Sequence, residues 1–378
     1  MSRAQPGAPA GRPLTVLIAP DSFKGSLTSV QVTQALATGW RRARPGDTVL
    51  LSPLADGGEG TLAAIEAAGG WTWRQARVCD PIRRPIVARW LQSEDGLRAV
   101  VEMAEASGLS RLAPDERDPV GATSVGTGEL IEAAYRAGAR SILLGIGGSA
   151  TTDGGLGLLQ GLAAYGAGLE LASLDPRVHE IELEVACDVT NPLLGPNGAA
   201  ATYGPQKGAT PDQVRELDAA LGRFADEIER AIHRRERDTP GAGAAGGVGF
   251  ALLAIKDQFA SFALRPGVDL VMQATGFQDK LAHADLVITG EGRVDEQTAF
   301  GKTALGVAKR AAAIGVPVIA VGGGVTPGGI EAMAAVGSTV VPVSEHAQSI
   351  EDAIAAGPAP VERAGERIAR LISIGAGG

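Results

Sequence analysis

Five glycine-rich segments, most of them with carboxylate or lysine side chains, are the candidates for chemistry: PDSFKGSL (20–27), ADGGEG (55–60), GGSATTDGG (147–155), GAGAAGGVG (241–249) and GEGRVDEQTAFGK (290–302). Glycine lets backbone N–H groups approach phosphate oxygens without interference from a Cβ atom, and a helix that follows adds a partial positive charge. Carboxylates beside such loops can hold a magnesium ion, and a lysine can neutralise the charge of a transferred group. A phosphoryl-transfer site needs these residue types together.

An alternative enzyme class rests on the segment GIGGSA (145–150), which fits the dinucleotide pattern G-x-G-x-x-A after a strand-like run. In dinucleotide-binding proteins an acidic residue ends the next strand roughly 20 residues later. The sequence has no well-marked strand that ends in an acid at that distance. An NAD-dependent oxidoreductase of a small hydroxy acid is therefore the weaker of the two hypotheses.

Two familiar catalytic motifs are absent from the sequence. Gly301, Lys302 and Thr303 resemble the end of a P-loop, but Glu296 stands where that motif requires a glycine. The GGSAT run is not a nucleophile elbow, because Thr151 replaces the final glycine. Lys302 can still bind phosphate from a helix start, or it can simply lie on a solvated helix end.

Other glycine-rich positions also have structural explanations. The glycines of 241–249 suit either a phosphate cradle or tight packing of a helix against a sheet. Asp56 and Glu59 suit ligands of a metal or substrate, but they also suit ordinary partners of a helix dipole. Position in the sequence alone leaves these alternatives open.

The order of strand-like and helix-like segments predicts an α/β fold. The run 15–19 (TVLIA) is typical of a strand, and a capping box at Thr28–Gln31 precedes a helix with Val32, Leu36 and Trp40 on one face. Further strand–loop–helix units follow along the chain. Alternating apolar and polar residues around the turn-like SEDG, before Met103, predict antiparallel strands of a second domain.

Composition and charge limit the partners. The formal net charge of -9 argues against nucleic acid, and the Arg-rich run 233–237 is flanked by acids, as on a solvated helix end. Cys79 and Cys187 are too far apart in sequence to suggest a zinc or disulfide motif, which favours a reducing compartment. The sequence also shows no signal peptide and no apolar stretch typical of a membrane helix, so we expect a cytoplasmic protein with no membrane partner.

Nine segments in order, from about residue 16 to residue 324, resemble the bacterial glycerate kinase type-1 family, whose members begin with IAPDSFKGSL. They are LIAPDSFKGSL, PLADGGEGT, VEMAEASGL, TSVGTGELI, GIGGSATTDGG, ACDVTNPLLGPNGAA, GPQKGA, GAGAAGGVG and VITGEGRVDEQTAFGK. The resemblance implies ATP-dependent phosphorylation of D-glycerate with Mg²⁺. The product is expected to be 2-phosphoglycerate or 3-phosphoglycerate. A glycerate-sensing module without turnover is a non-enzymatic alternative, but the acids in the loops argue against it.

The resemblance also implies a two-domain α/β fold, with one Rossmann-like domain that has a mainly parallel sheet and a second, mixed α/β domain. We predict residues 14–70, 120–165 and 283–378 in the first domain, residues 71–119 and 166–282 in the second, and residues 1–13 as a flexible tail. Between Gly166 and Leu174 the chain is shorter than similar proteins, so the local geometry there is not predicted. The sequence does not indicate the oligomeric state.

Loop position and the resemblance together suggest roles for individual residues. The candidate catalytic residues are Lys24, Asp188, Asn191 and Asp295. The candidate nucleotide ligands are Gly147, Gly148, Ser149, Gly243, Gly246, Gly247 and Lys302. The candidate substrate ligands are Asp21, Ser22, Asp56, Gly57, Gly58, Lys207 and Arg293, and the candidate magnesium ligands are Glu291, Asp295 and Asp188. We expect glycerate to bind between the two domains, because a small substrate must be enclosed while its hydroxyl is aligned with the γ-phosphate.

Overall fold

The computed structural model describes residues 12–162, 176–296, 303–346 and 349–375. Most of the predicted tail, the shortened segment near 166–174 and Lys302 lie outside the described residues. The chain divides into two compact units. Unit 1 is formed by the described parts of Met1–Ala55, Ala63–Gly69 and Val271–Gly378, and unit 2 by those of Asp56–Leu62 and Gly70–Leu270.

The secondary structure of the described residues alternates between strands and helices, joined by loops and short 3₁₀ turns. The strands are β1 (Thr15–Ile18), β2 (Thr48–Leu51), β3 (Trp71–Cys79), β4 (Pro85–Ser93), β5 (Arg98–Glu102), β6 (Ser141–Gly145), β7 (Glu182–Ala186), β8 (Ser261–Arg265), β9 (Leu286–Val294), β10 (Val318–Val325) and β11 (Thr339–Pro342). The helices are α1 (Ser29–Ala43), α2 (Thr61–Ala67), α3 (Ala104–Ser107), α4 (Val125–Arg136), α5 (Leu156–Leu162), α6 (Ala199–Tyr203), α7 (Pro211–Ile232), α8 (Val248–Ala254), α9 (Gly267–Ala274), α10 (Phe277–Ala282), α11 (Thr303–Ala313), α12 (Pro327–Ala334), α13 (Ile350–Ala355) and α14 (Ala359–Gly375).

The sheet of unit 1 has five strands among the described residues, in the order β11-β10-β9-β1-β2. Every neighbouring pair is parallel. Parallel neighbours need crossover connections, and α1, α11 and α12 lie between successive strands of this sheet in the chain. The structure therefore confirms a Rossmann-like domain with a parallel sheet.

Helix α1 forms where its sequence predicts it. The Thr28 hydroxyl accepts a hydrogen bond from the Gln31 N–H at 3.2 Å, and the Gln31 side chain accepts one from the Thr28 N–H at 2.9 Å. Val32, Leu36 and Trp40 are fully buried. The helix also lies very close to α14, since a Cβ atom on Gly39 would stand 1.8 Å from the Glu362 carbonyl oxygen. The capping box and the apolar face of α1 are thus both confirmed.

The sheet of unit 2 is mixed, with six strands in the order β3-β4-β5-β6-β7-β8 among the described residues. β3, β4 and β5 pair antiparallel, which confirms the predicted antiparallel segment before Met103. From β5 to β8 the pairing is parallel. The strand β8, which the sequence did not predict, completes this edge of the sheet.

The observed units differ from the predicted domain boundaries in one main respect. The sequence predicts residues 120–165 in the parallel domain, but β6 pairs with β5 and β7 in the sheet of unit 2. The strand–loop–helix pattern around β6 is the same in either kind of sheet, and strand partners are not encoded locally. Two smaller differences are that Asp56–Leu62, predicted in the first domain, belong to unit 2, and that unit 1 resumes at Val271 rather than at 283.

A buried ionic cluster around Asp47 ties the end of α1 to the chain before β1. One carboxylate oxygen of Asp47 accepts from Leu14 N–H at 3.0 Å, and the other accepts from Trp40 Nε1 at 3.0 Å and Arg44 Nε at 2.5 Å. The side chains of Arg44 and Asp47 are only 7% and 3% exposed. Burial alone would raise the pKa of Asp47, but the hydrogen bonds from Arg44, Leu14 and Trp40 outweigh it and lower the pKa.

Replacing Asp47 with alanine should lower the free energy of unfolding by about 3–5 kcal/mol, because Arg44 would stay buried without its carboxylate partner. Since the folded pKa of Asp47 lies below the unfolded value of about 4, its contribution is present above about pH 4 and is lost as the pH falls through the folded pKa. Urea denaturation at several pH values measures both effects. The exposed acid Glu331, changed to alanine, is the control and should change stability by less than about 0.5 kcal/mol. Equal stability of Asp47→Ala and the parent protein near neutral pH would contradict this account.

Candidate active site

The candidate residues of unit 2 gather where its parallel strands end. β5 ends at Glu102, β6 at Gly145, β7 at Ala186 and β8 at Arg265. Because these four strands run parallel, their carboxyl ends lie along one edge of the sheet. In open α/β sheets, ligands bind in the crevice outside the carboxyl ends of the strands.

The acid loop, residues 56–60, lies across this edge in very close contact with it. A Cβ atom on Gly57, whose φ is +84°, would stand 2.4 Å from the Ala186 Cβ. A Cβ atom on Gly147 would stand 2.5 Å from the Gly58 Cα. The Gly147 N–H also donates to the Gly57 carbonyl at 3.4 Å. Glycine is therefore required at these positions to let two backbone segments touch.

Asp188 meets the acid loop at the start of α9. Its Oδ1 accepts a hydrogen bond from the Gly267 N–H at 2.9 Å. A Cβ atom on Gly267 would stand 2.0 Å from the Asp56 carbonyl oxygen, so the acid loop touches the same residue. Asp56 itself accepts from the Gly58 N–H at 3.2 Å. The structure thus brings together Asp188 and the three predicted substrate ligands of the acid loop.

Lys207 is a buried cation held by neutral oxygens. Its Nζ donates to the Ser149 hydroxyl at 3.0 Å and to the Thr151 carbonyl at 2.5 Å, and the residue is only 2% exposed. Burial lowers the pKa of Lys207 to about 8, against the attraction of Asp153. The Asp153 carboxylate accepts from the N–H and the hydroxyl of Ser124, both at 2.8 Å. Within the described ranges Lys207 forms no ion pair.

Two hydroxyls next to this lysine have no hydrogen-bond partner among the described residues. The Thr151 and Thr152 Oγ1 atoms are both buried in the loop 147–155. Buried polar groups are nearly always paired in folded proteins, because an unpaired hydroxyl loses its hydration without replacement. Both exceptions are in the loop that contains Ser149, one of the predicted nucleotide ligands.

The glycine-dense segment 241–249 has a packing explanation. A Cβ atom on Gly243 would stand 2.2 Å from the Pro192 carbonyl oxygen, and one on Gly246 would stand 1.9 Å from the Thr151 carbonyl oxygen. At Gly247 the close neighbour would be the Gly154 Cα, at 2.6 Å. These contacts account for the three glycines as backbone packing against neighbouring loops. Their predicted role as nucleotide ligands stays a prediction.

Asn191 supports the loop that follows Asp188. Its Nδ2 donates to the Asn197 carbonyl at 2.8 Å, and its Oδ1 accepts from the Tyr203 hydroxyl at 2.7 Å. The side chain amide therefore joins the loop at Asn197 to the end of α6 at Tyr203. This bonding explains the need for an amide at Asn191, while a catalytic role stays a prediction.

In unit 1, Asp21 joins three elements at the carboxyl end of β1. Its N–H donates to the Gly290 carbonyl at 2.8 Å, and its carboxylate accepts from the Ser22 N–H at 2.6 Å and the Thr303 hydroxyl at 2.7 Å. Asp21 is buried, whereas Lys24 at the tip of the same loop is exposed. The predicted substrate ligands Asp21 and Ser22 thus lie at a strand end next to β9.

The strand β9 carries the other predicted residues of unit 1. It is longer than the predicted LVIT run, because its second half pairs with β10, with Glu291 opposite Gly322. Glu291 and Asp295 are buried, and exposed Arg293 forms an ion pair with Asp295 at 3.1 Å. Among the described residues, no group of three or more His, Cys, Asp or Glu side chains lies close enough together to hold a metal ion. Carboxylates nevertheless suit Mg²⁺, which is usually bound by one or two protein carboxylates plus nucleotide phosphates.

Glu102 is a residue of this edge that sequence reasoning missed. It ends β5, is 4% exposed, and accepts from the Gly60 N–H at 3.1 Å and the Leu62 N–H at 3.2 Å. Burial raises the pKa of Glu102 to about 7, although the two backbone hydrogen bonds oppose the shift. The available signal was one acid at the end of the apolar run RAVVE, within the family-like segment VEMAEASGL.

Comparison with known proteins matches nearly the whole chain. The model of the glycerate kinase family covers residues 16–373. The chain belongs to the glycerate kinase family. It is 42% identical to a glycerate kinase of Halalkalibacterium halodurans, over 95% of this chain and 98% of the relative. It is 40% identical to the glycerate 2-kinase of Escherichia coli K12, over 96% of this chain and 99% of the relative. A crystal structure of a glycerate kinase 2 candidate from Salmonella typhimurium LT2 superimposes with a TM-score of 0.82, at 40% identity over 96% of this chain and 99% of that one.

Membership of the glycerate kinase family assigns the chain to the kinases, which transfer phosphoryl groups to an alcohol acceptor. The oxidoreductase and the non-catalytic sensing module are therefore not supported. Among the helices that the structure describes, none has the length and the apolar character needed to cross a membrane.

Because Lys207 is buried, the free energy of unfolding should increase as the pH rises above neutrality. The unfolded lysine keeps its proton up to about pH 10.5, whereas the folded one loses it near 8, so the unfolded state binds more protons between these values. The stability of the parent protein should therefore rise by on the order of 2 kcal/mol between about pH 7.5 and 10, relative to Lys207→Met. Urea denaturation curves at each pH measure this difference. In the control Lys309→Met, which replaces an exposed lysine, the free energy of unfolding should depend on pH as it does in the parent protein. If Lys207→Met also kept the pH dependence of the parent protein, the lowered pKa of Lys207 would be refuted.

Proposed function

We propose that this enzyme transfers the γ-phosphoryl group of ATP, with Mg²⁺, to the 2-hydroxyl of D-glycerate and so forms 2-phosphoglycerate. Family membership supports glycerate as the acceptor. The choice of the 2-hydroxyl is supported by the Escherichia coli relative, which is named a glycerate 2-kinase.

One structural observation carries the proposal: several of the family-like segments lie at the carboxyl ends of parallel strands, in each of the two units. PDSFKGSL follows β1, and the loop 147–155 begins just after β6. Asp188 follows β7, and Glu291 lies in the second half of β9. Ligands of parallel α/β sheets bind at such ends. These placements support an active site that includes residues such as Lys24, Asp188 and Glu291.

Asp188 is the residue that we propose to orient the acceptor hydroxyl or hold the metal. It is an exposed carboxylate, and the Gly267 N–H fixes one of its oxygens. A side chain that is held in place in this way pays less entropy when it binds a substrate hydroxyl or a cation. Mg²⁺, when bound with ATP, neutralises charge on the phosphates.

Each unit has basic residues that we propose for roles with the anionic reactants. Lys24 and Arg293 are exposed at the strand ends of unit 1, and we propose that they bind the carboxylate of glycerate or the phosphates. Buried Lys207 supports Ser149 and the backbone of the loop 147–155, which we propose as part of the nucleotide site. Glu291 and Asp295 are the proposed magnesium ligands of unit 1. Binding of glycerate between the domains and a cytoplasmic location stay predictions.

Incubation of the purified enzyme with ATP, MgCl₂ and D-glycerate should yield 2-phosphoglycerate. Proton-coupled phosphorus NMR identifies the isomer, because the phosphorus of 2-phosphoglycerate couples to a single proton on C2 and gives a doublet, whereas that of 3-phosphoglycerate gives a triplet. A parallel sample with EDTA should form no product. A triplet would change the assigned hydroxyl, and the absence of any phosphoglycerate from folded enzyme would overturn the proposal.

The change Asp188→Asn should lower kcat at least about 100-fold while the protein stays folded, because asparagine keeps the Oδ1 acceptor for Gly267 but removes the charge. Asp218 offers a matched control, since its Oδ1 likewise accepts from a backbone N–H, that of Gly195 at 2.9 Å. Asp218→Asn makes the same chemical change away from the strand ends and should leave kcat within about twofold of the parent value. Similar kcat values for the two variants would remove Asp188 from the proposed site.

A further inference from the structure

We propose that Glu102 is a positioning residue for glycerate: from the end of β5 it fixes the acid loop (residues 56–60), and thereby the substrate ligands Asp56, Gly57 and Gly58. This inference rests on the proposed function. No role for Glu102 follows from the sequence motifs, and it contacts the loop only through backbone groups.

The carboxylate of Glu102 is matched to two backbone donors. Oε1 accepts from the Gly60 N–H at 3.1 Å and Oε2 accepts from the Leu62 N–H at 3.2 Å. These N–H groups lie at the start of α2, where the first turn of a helix has no partners of its own. An amide side chain has only one acceptor oxygen, so glutamine would set an NH₂ group against one of the two N–H groups. A carboxylate satisfies both donors at once.

Simple capping of α2 does not require a buried acid. In the same chain, Thr28 caps α1 and Thr210 caps α7 from the adjacent position, without burying any charge. Glu102 is 4% exposed, and within the described residues it forms no ion pair. Burying an acid without a cation is costly. What distinguishes Glu102 from a local cap is that it joins the acid loop to another strand of the sheet.

The other side of the acid loop is held by backbone packing. Gly57 lies against Ala186 at the end of β7, and its carbonyl accepts from the Gly147 N–H after β6. Glu102 fixes the opposite side of the loop, at Gly60. Gly58 lies between these two attachments, and its N–H donates a 3.2 Å hydrogen bond to the carboxylate of Asp56, which directly precedes Gly57. Loss of the Glu102 carboxylate would release one attachment while the glycine contacts stay intact.

The test compares Michaelis constants for the two substrates. Glu102→Ala should raise KM for D-glycerate at least about tenfold, while KM for ATP changes less than about twofold, because the acid loop is assigned to the acceptor and not to the nucleotide. Glu102→Gln, which keeps one acceptor, should fall between the alanine variant and the parent. A general loss of structure would not separate the two constants in this way.

The matched control is Glu105→Gln, three residues further along. Glu105 is a partly buried acid, but its carboxylate pairs with Arg89 at 3.0 Å and with Arg111 at 2.7 Å, and not with the acid loop. Both KM values should match those of the parent protein. Hydrogen exchange adds a readout that does not depend on activity, since the amides of Gly60 and Leu62 should exchange faster in the Glu102 variants and not in Glu105→Gln.

The outcomes separate the two proposals. If the parent enzyme forms no phosphoglycerate, the proposed function fails, whereas the exchange rates still report whether Glu102 fixes the loop. If the parent enzyme is active and the folded Glu102 variants keep the parent KM for D-glycerate, the positioning role is wrong. An equal rise of both constants would also reject it. Should Glu102→Ala fail to fold, Glu102→Gln provides the same comparison.

Discussion

The close backbone contact between the acid loop and the ends of β6 and β7 is the constraint on which the candidate site of unit 2 depends. At Gly57 and Gly147 a Cβ atom would come within 2.4 and 2.5 Å of its neighbour, so any other residue would push the loop away from the sheet. With the loop seated there, Asp56 lies next to Gly267, which Asp188 also binds. Parallel pairing from β5 to β8 provides the common edge that makes these contacts possible.

Two titratable groups at this edge are buried at an energetic cost. Burial brings the pKa of Glu102 up to about 7 and that of Lys207 down to about 8, so each is shifted towards its neutral form. Each is hydrogen-bonded, but within the described part of the chain each lacks an ion pair. A hydrophobic residue at either position would avoid this cost. Proteins tolerate such violations mainly where function requires them, which is consistent with the contacts of Glu102 with the acid loop and of Lys207 with the loop 147–155.

Local patterns explain which parts of the structure the sequence predicts. The capping box at Thr28 and the apolar face of α1 depend on residues within one turn of each other, so they could be read directly. The partners of β6 could not, because strand pairing depends on residues far apart in the chain, and its loop and helix are equally compatible with either sheet. Glu102 was missed for a similar reason. An acid that ends an apolar strand is usually solvated, and only the tertiary contact with Gly60 and Leu62 shows otherwise.

The glycine-dense segment 241–249 shows why glycine alone is weak evidence for a phosphate site. A phosphate cradle and tight loop packing both need a backbone without Cβ atoms, so they leave the same sequence signature. At Gly243 and Gly246 the close neighbours are carbonyl oxygens of the protein itself, at 2.2 and 1.9 Å from an added Cβ. Loss of activity after a substitution there would therefore report disturbed packing whether or not a nucleotide binds. Catalytic roles must therefore be assigned from side chains such as Asp188. Its replacement by asparagine, which has nearly the same shape, removes the charge but keeps the acceptor for the Gly267 N–H.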